Sequence, residues 1–294
     1  MRASKQRVSK QRVSKLRESK LRESSLKQLE LKELLSFTRK LAVEAGDVLK
    51  RGFNKVRKVE FKGKIDPVTD VDLRSEQFIT KAITRKYPHH AILTEEDSAQ
   101  GEKSAYRWII DPLDGTVNFA HGFPIYCVSI ALEYEGELIV GAVYDPERQE
   151  LFSTAKGQPA CLNGKPIAVS TERKLERSLL ATGFAYDIHT AKRNNLGYFG
   201  RMAKAAQGIR RPGSAALDLC WLASGRIDGF WELKLHPWDT AAAIQFVLNA
   251  GGKASRIDGS PYSVFDPDLL ASNGRIHEVM KQTLAGKQRK GRTK

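Results

Sequence analysis

The chain has 294 residues, 41% of them hydrophobic, which is enough for one large domain or two tightly packed halves around a substantial core. No apolar run approaches the roughly 20 residues of a membrane-spanning helix, and three scattered cysteines (Cys127, Cys161, Cys220) with no CxxC pair argue against a disulfide framework and read as reduced core residues. The formal charge of +15 sits in the tails: residues 1–27 hold ten Lys/Arg against two Glu, residues 281–294 hold six against no acid, and the body between is close to neutral, so the charge argues for two solvated basic tails rather than a nucleic-acid-binding domain.

The first 23 residues contain a pentad repeat, SKQRV twice (4–13) and SKLRE twice (14–23). Five residues advance about 140° round a helix, so equivalent positions form no stripe and the segment cannot bury a face. Disorder, or an isolated solvated helix, is expected for this tail, taken as residues 1–27. It has no apolar h-region, so it is not a secretory signal. A cytoplasmic protein is expected, with an organelle transit peptide as the minor alternative. Order is expected from about Leu29, where Leu31, Leu34, Leu35, Leu41, Ala42 and Val48 recur at helical spacing.

Residues 56–72 read as a strand or hairpin with a turn at Asp66-Pro67, and 72–88 as an amphipathic helix stopped by Pro88. Two short strands follow, each ending in acids: HAILTEED (90–97), after a His89-His90 pair read as a solvated turn, and YRWIID (106–111). Residues 126–146 give two strands about Gly136, and 150–170 more strand with an Asn163-Gly164 hairpin signal. A strand at 178–184 and a helix over 190–207 come next. A helix opens near Gly213-Ser214 and closes at Gly225, a strand runs through Phe230, and a last helix starts at WDTAAA (238–243). The basic tail is taken as 281–294 and the folded body as 28–280. Its mixed order of helices and strands is not the strict alternation of a doubly wound sheet.

Acids cluster at three strand ends: Asp70 and Asp72, Glu95 and Glu96, Asp111 and Asp114. Asp239 stands at a helix start. Charge beside a core is costly without a partner, and no Lys or Arg lies between Arg107 and Arg148. Taken singly, each acid reads as solvated or as a helix cap. Taken together they offer oxygen donors with no His or Cys pattern, which suits a hard divalent cation such as Mg²⁺. Two such ions can activate a water and stabilise the leaving oxygen of a phosphoryl transfer. Gly115-Thr116 could open a turn whose N–H groups face phosphate oxygens.

WIIDPLDGTVNF (108–119) resembles the W-x-I-D-P-x-D-G-T-x-N-F signature of the inositol monophosphatase family. WDTAAA is similar to its second signature and LTEED (93–97) to its acidic ligand site, in order and across about residues 30–280. The resemblance implies an α/β (α+β) fold, an alternating α/β/α/β/α layered sandwich, and a Mg²⁺-dependent, lithium-sensitive homodimer. It implies metal ligation by Glu95, Asp111, the Leu113 carbonyl, Asp114 and Asp239, with Asp72 serving a more weakly bound ion and belonging to the catalytic group. Thr116 would bond the attacking water together with Glu95. Gly115 and Thr116 would hold phosphate, with Asp114 and Asp239 beside it. Gly213, Ser214, Ala215 and Glu232 would line the alcohol side. One departure is Thr94, where the family often has Gly. His236 reads as a packing residue and Arg210-Arg211 as a surface pair, with contact to a second phosphate as its alternative.

The function implied is hydrolysis of a small phosphate monoester, inositol 1-phosphate first, with fructose 1,6-bisphosphate and histidinol phosphate as alternatives on the same site. The continuation NFAHGFPIYCVSIAL makes a nucleotide 3′-phosphatase the weaker reading. A binding role of a different class, in a transcription or RNA-associated complex, would use the basic tails as weak polyanion contacts. No membrane contact is expected.

Overall fold

The protein is described here as a computed structural model, which covers residues 2–53, 59–61, 67–95 and 104–286. The chain begins with α1 (Arg2–Phe53), a hairpin of β1 (Val59–Phe61) and β2 (Pro67–Thr69), α2 (Asp70–Lys86), β3 (Ala91–Thr94), β4 (Tyr106–Asp114) and a short α3 (Thr116–Ala120). A meander follows: β5 (Cys127–Tyr134), β6 (Glu137–Asp145), β7 (Glu150–Ala155), β8 (Cys161–Leu162) and β9 (Lys165–Pro166). The second half holds β10 (Leu179–Thr182), α4 (Leu196–Ala203), β11 (Gly208–Arg210), α5 (Ala215–Ala223), β12 (Gly229–Leu233), α6 (Pro237–Asn249), β13 (Lys253–Ser255), β14 (Asp268–Ser272) and α7 (His277–Leu284).

Besides the two-stranded β1-β2 hairpin, the described strands form two larger sheets, one of seven strands in the order β3-β4-β5-β6-β7-β8-β9 and one of five in the order β11-β10-β12-β14-β13. Both are buried on two faces, which is why their strands read as near-continuous apolar runs rather than alternating ones. Alternation persists at the level of the layers. Trp108 and Ile110 of β4 pack outward on Leu41, Ala45 and Leu49 of α1 and Ile79 and Ile83 of α2. Ile109 between them faces the opposite core, with Leu217 and Leu222 of α5 and Phe246 of α6. Phe230 of β12 points into that same central core, while its neighbour Trp231 packs with Met202 of α4 and Met280 and Leu284 of α7. The layers are therefore helices, seven-stranded sheet, α5 and α6, five-stranded sheet, helices: the α/β/α/β/α sandwich.

Several local expectations change. Of the two forms expected for the pentad repeat, the backbone takes the helical one within α1. The helix expected over 190–207 is shorter. Before it, the Asn195 amide donates to the Gly183 carbonyl at 2.6 Å and Thr182 Oγ1 at 2.8 Å, while its oxygen accepts from Trp231 at 2.7 Å; after it, residues 208–210 form β11. His90 is not a solvated turn residue. Its ring stacks between Tyr87 and Tyr106 at 4.8 and 4.4 Å, and its Nδ1 accepts from Trp108 Nε1 at 3.1 Å. The expected Asp66-Pro67 turn falls partly, and Glu96 wholly, outside the described residues, as do 287–294 of the basic tail.

Candidate active site

The acids meet because of strand register. β3 and β4 run parallel with Thr94 opposite Ile110, so the next residues, Glu95 and Asp111, leave the ladder at the same end. Asp111 and Asp114 are three apart, and a regular strand would turn them to opposite faces. The register against β5 shifts by one between them: Asp111 faces Ser129, and Asp114 faces Cys127. This bulge, at Pro112-Leu113, re-aims Asp114 so that both carboxylates front one cavity. Gly115 then turns the chain into α3 at φ 100°, and a Cβ there would stand 2.8 Å from the Ile125 carbonyl.

Helix starts supply the other wall. Ser214 caps α5 by accepting from Leu217 N–H at 3.3 Å. Its hydroxyl also donates to Asp114 Oδ2 at 2.6 Å, and Ala216 N–H donates to the same oxygen at 2.7 Å. Asp239 is the third residue of α6, and its Oδ2 accepts from His236 N–H at 2.7 Å, while the His236 ring stacks on Trp238 at 4.8 Å. Asp239 is thus both a helix cap and a cavity residue, with its second oxygen free of that cap bond.

The cavity holds about 480 Å³. Eleven of the twelve residues expected in the site line it: Glu95, Asp111, Leu113, Asp114, Gly115, Thr116, Gly213, Ser214, Ala215, Glu232 and Asp239. The twelfth, Asp72, is buried on α2 behind this wall, where it accepts from Thr116 Oγ1 at 3.3 Å. The same hydroxyl stands 3.1 Å from the Leu113 carbonyl. Sequence reasoning missed Asp218, on the buried face of α5, and the rim formed by residues 183–187 and Lys234, which ion-pairs with Asp187. It also treated Arg210 and Arg211 alike. Arg211 lines the cavity, whereas Arg210 bonds the Ile209 carbonyl at the surface.

Electrostatics set these acids apart. Burial, then the charges of Glu95, Asp114 and Asp239, push Asp111 well above the usual carboxylate range. Burial raises Asp114 to about 6 despite the Ser214, Ala216 and Ala215 donors, and Asp239 to about 7 despite His236 N–H. Glu232 rises to about 8 through burial and the charges of Asp239 and Asp114, eased by Arg211. These carboxylates repel one another in a desolvated place. Among the described residues, no Lys or Arg pairs with Asp111, Asp114 or Asp239.

The sequence matches the inositol monophosphatase family over residues 30–292. The chain belongs to this family. An inositol-1-monophosphatase of Synechocystis is 45% identical over 253 residues, covering 85% of this chain and 88% of the relative. A Nus factor SuhB of Pseudomonas aeruginosa is 40% identical over 258 residues, covering 85% and 95%. The solved inositol monophosphatase of Anabaena (Nostoc) sp. superposes with a TM-score of 0.80 at 40% identity, covering 87% of this chain and 97% of that one.

The donor set of this family member fits a divalent cation. Its atoms are all hard oxygens, and mutual repulsion among the buried acids is what a bound cation would relieve. No three His, Cys, Asp or Glu side chains among the described residues are closed tightly enough to hold an ion as they stand. The acids instead surround a shared open space. No helix among the described residues is long and apolar enough to cross a membrane.

Proposed function

We propose that this chain is a Mg²⁺-dependent phosphatase that hydrolyses inositol 1-phosphate to inositol and phosphate. The observation that carries the reading is the convergence of Glu95, Asp111, Asp114 and Asp239 on one cavity beside Thr116, with burial and mutual charge raising the acids. Glu95, Asp111, Asp114, Asp239 and the Leu113 carbonyl would hold the metal, with Asp72 serving a weaker position. Bound there, Mg²⁺ would supply Lewis-acid stabilisation of the phosphoryl oxygens and a water of lowered pKa.

The chain's own groups do the remaining work. The Thr116 hydroxyl donates toward Asp72 or the Leu113 carbonyl, which leaves its oxygen lone pairs to accept a hydrogen bond from the attacking water. Glu95, on the same wall, accepts the second hydrogen bond of that water and takes its proton as the oxygen attacks phosphorus and the ester P–O bond breaks, the departing alkoxide taking a proton from solvent water. The N–H groups of Gly115 and Thr116 hold the phosphate oxygens. Gly213, Ser214, Ala215 and Glu232 face the leaving alcohol, where the Ser214 hydroxyl and Glu232 carboxyl favour a hydroxyl-rich group over an apolar one. The test is kcat/KM with Mg²⁺ across inositol, sugar and amino-alcohol phosphates. Inositol 1-phosphate should lead, and a clear preference for fructose 1,6-bisphosphate or histidinol phosphate would overturn the substrate.

A second reading rests on the basic tails together with the resemblance to a protein named as a Nus factor. Here the tails add contact to a polyanion without touching the catalytic cavity. Lys281–Leu284 complete α7 and Leu284 is fully buried, so the dispensable C-terminal stretch is 287–294. Deleting 1–27 and 287–294 should leave turnover intact and abolish salt-sensitive polyanion binding.

A further inference from the structure

Helix α2 touches the active site along one face. Asp72, Ser75 and Glu76 are spaced as neighbours on a helix surface, and all three are buried. Each meets a different segment that carries site residues. Asp72 accepts from Thr116 at 3.3 Å, Ser75 Oγ donates to the Pro112 carbonyl at 2.8 Å, and Glu76 Oε2 accepts from Thr94 Oγ1 at 2.8 Å. The Thr94 contact is the one that reaches the Glu95 segment.

Thr94 is the last residue of β3, and its pairing with Ile110 is the last of that ladder. Glu95 is therefore the first residue beyond the sheet, and a hydrogen bond one residue before it governs how the segment leaves. Thr94 is 1% exposed and Glu76 is 6% exposed, so this 2.8 Å bond between a hydroxyl and a carboxyl group is made out of water, where breaking it leaves a buried polar group unpaired. Two apolar side chains could pack this gap without the cost of burying a carboxylate. A buried acid is kept here, and its Oε2 takes the hydroxyl next to a residue that faces the cavity.

We infer that the Thr94–Glu76 hydrogen bond is a positioning contact for the cation site: through it α2 fixes Glu95 and raises the affinity of that site for a divalent cation. The inference rests on the metal reading above. Thr94 touches neither ion nor substrate; it acts through Glu95. Groups that orient a ligating residue from behind commonly change metal affinity by about 10- to 100-fold when removed.

The experiment is calorimetric titration of the metal-stripped full chain with MgCl₂, which needs no turnover. Thr94→Val keeps the shape and loses the hydroxyl; it should weaken Mg²⁺ binding by about 10-fold, while Thr94→Ser restores affinity close to wild type. Glu76→Gln keeps an acceptor oxygen and should fall between them. In assays the Mg²⁺ concentration for half-activation should shift with the calorimetric constant, and kcat at saturating Mg²⁺ should recover. Thr80→Ala removes a hydroxyl that bonds only within α2, at 2.8 Å to the Glu76 carbonyl, and should leave Mg²⁺ affinity unchanged. Wild-type affinity in Thr94→Val overturns the inference. So does an equal loss in the Val and Ser variants that tracks their melting temperatures. Glu95→Gln separates the two levels: if it weakens Mg²⁺ binding and Thr94→Val does not, the positioning role alone fails. If Glu95→Gln binds as wild type does, the cation site itself is wrong.

Discussion

Two sets of buried or half-buried aspartates differ in where their partners come from. Asp145, Asp228 and Asp268 are answered by the chain. Asp145 accepts from the N–H groups of Glu147 and Arg148 and from the Arg148 guanidinium, each at 3.0 Å. Asp228 accepts from Ser170 and from Leu179 N–H. Asp268 takes Ile257 N–H at 3.1 Å, Arg193 at 3.1 Å and Arg256 at 3.2 Å. Burial alone would raise Asp268, and these donors more than offset it, so it sits below the usual range. Asp111 and Asp114 are buried too and Asp239 is half-buried, yet they meet chiefly one another and a few N–H and O–H donors, and all three are raised. Where the chain encodes the cation, as at Asp145 and Asp268, the acid is part of the scaffold. Where it leaves the cation out, the acid marks the place where something else binds.

The largest effect should come from Asp111→Asn. It removes an anionic donor from the centre of the cluster, and turnover should be abolished while the fold persists, because repulsion among Glu95, Asp114 and Asp239 is eased. Near-wild-type activity at modest Mg²⁺ would break the comparison at once. The mirror variant, Asp268→Asn, should do the opposite. It leaves Arg193 and Arg256 short of a charge partner and should cost about 1–3 kcal/mol of stability, read by denaturant melts, with kcat retained in the folded fraction. Lithium should inhibit at millimolar levels or below, since the Asp72, Glu95 and Asp114 surroundings offer hard oxygens to a small cation. Full activity in high lithium at limiting Mg²⁺ would count against that.

A buried base sharpens the contrast further. His277 lies between Ser255 Oγ at 2.9 Å and Ser272 Oγ at 3.0 Å, and burial, with Lys253 and Lys281 nearby and Glu278 opposing them, lowers it to about 4. The unfolded chain protonates this imidazole near pH 6.5, whereas the folded one resists until about pH 4. Its contribution is therefore complete above about pH 6.5 and lost as pH falls toward 4, with an upper bound of about 3 kcal/mol. His277→Gln should flatten the stability profile in that window relative to wild type, and an unchanged profile would remove His277 from the account. The smallest effect is expected from truncating residues 1–27. The pentad repeat has no apolar stripe to bury, and Leu31 and Leu34, α1 side chains of the core, lie beyond the cut, so melting temperature and kcat should barely move. A drop of many degrees would show that the repeat packs on the body or on a second subunit.

Much of this was readable from local pattern. Helix starts near Ser214 and Pro237, the hairpin at Asn163-Gly164 and the run WIIDPLDGT all carry short-range signals, and eleven of the site residues that the family resemblance implied line one cavity. What stayed hidden depends on distant pairing. Spacing alone puts Asp111 and Asp114 on opposite faces, and only the shifted pairing with β5 turns them together. The Thr94–Glu76 bond joins residues 18 apart across two elements. His90 looks solvated beside His89 until Tyr87, Tyr106 and Trp108 close around it. The residues of β14 are all buried, so DLLAS shows no alternation to read.

The most direct test of the missing-cation account is titration of the metal-stripped protein with MgCl₂ at pH 6.5, in buffers of different ionisation enthalpy. Asp239 at about 7 holds a proton there for most of the time, and Asp114 at about 6 for a smaller part, and a divalent ion must displace them. The account predicts binding with net proton release at pH 6.5, less release at pH 8.5, severe weakening in Asp111→Asn and no change in Asp268→Asn. Absence of Mg²⁺ binding by wild type, or binding of equal strength in Asp111→Asn, would contradict it.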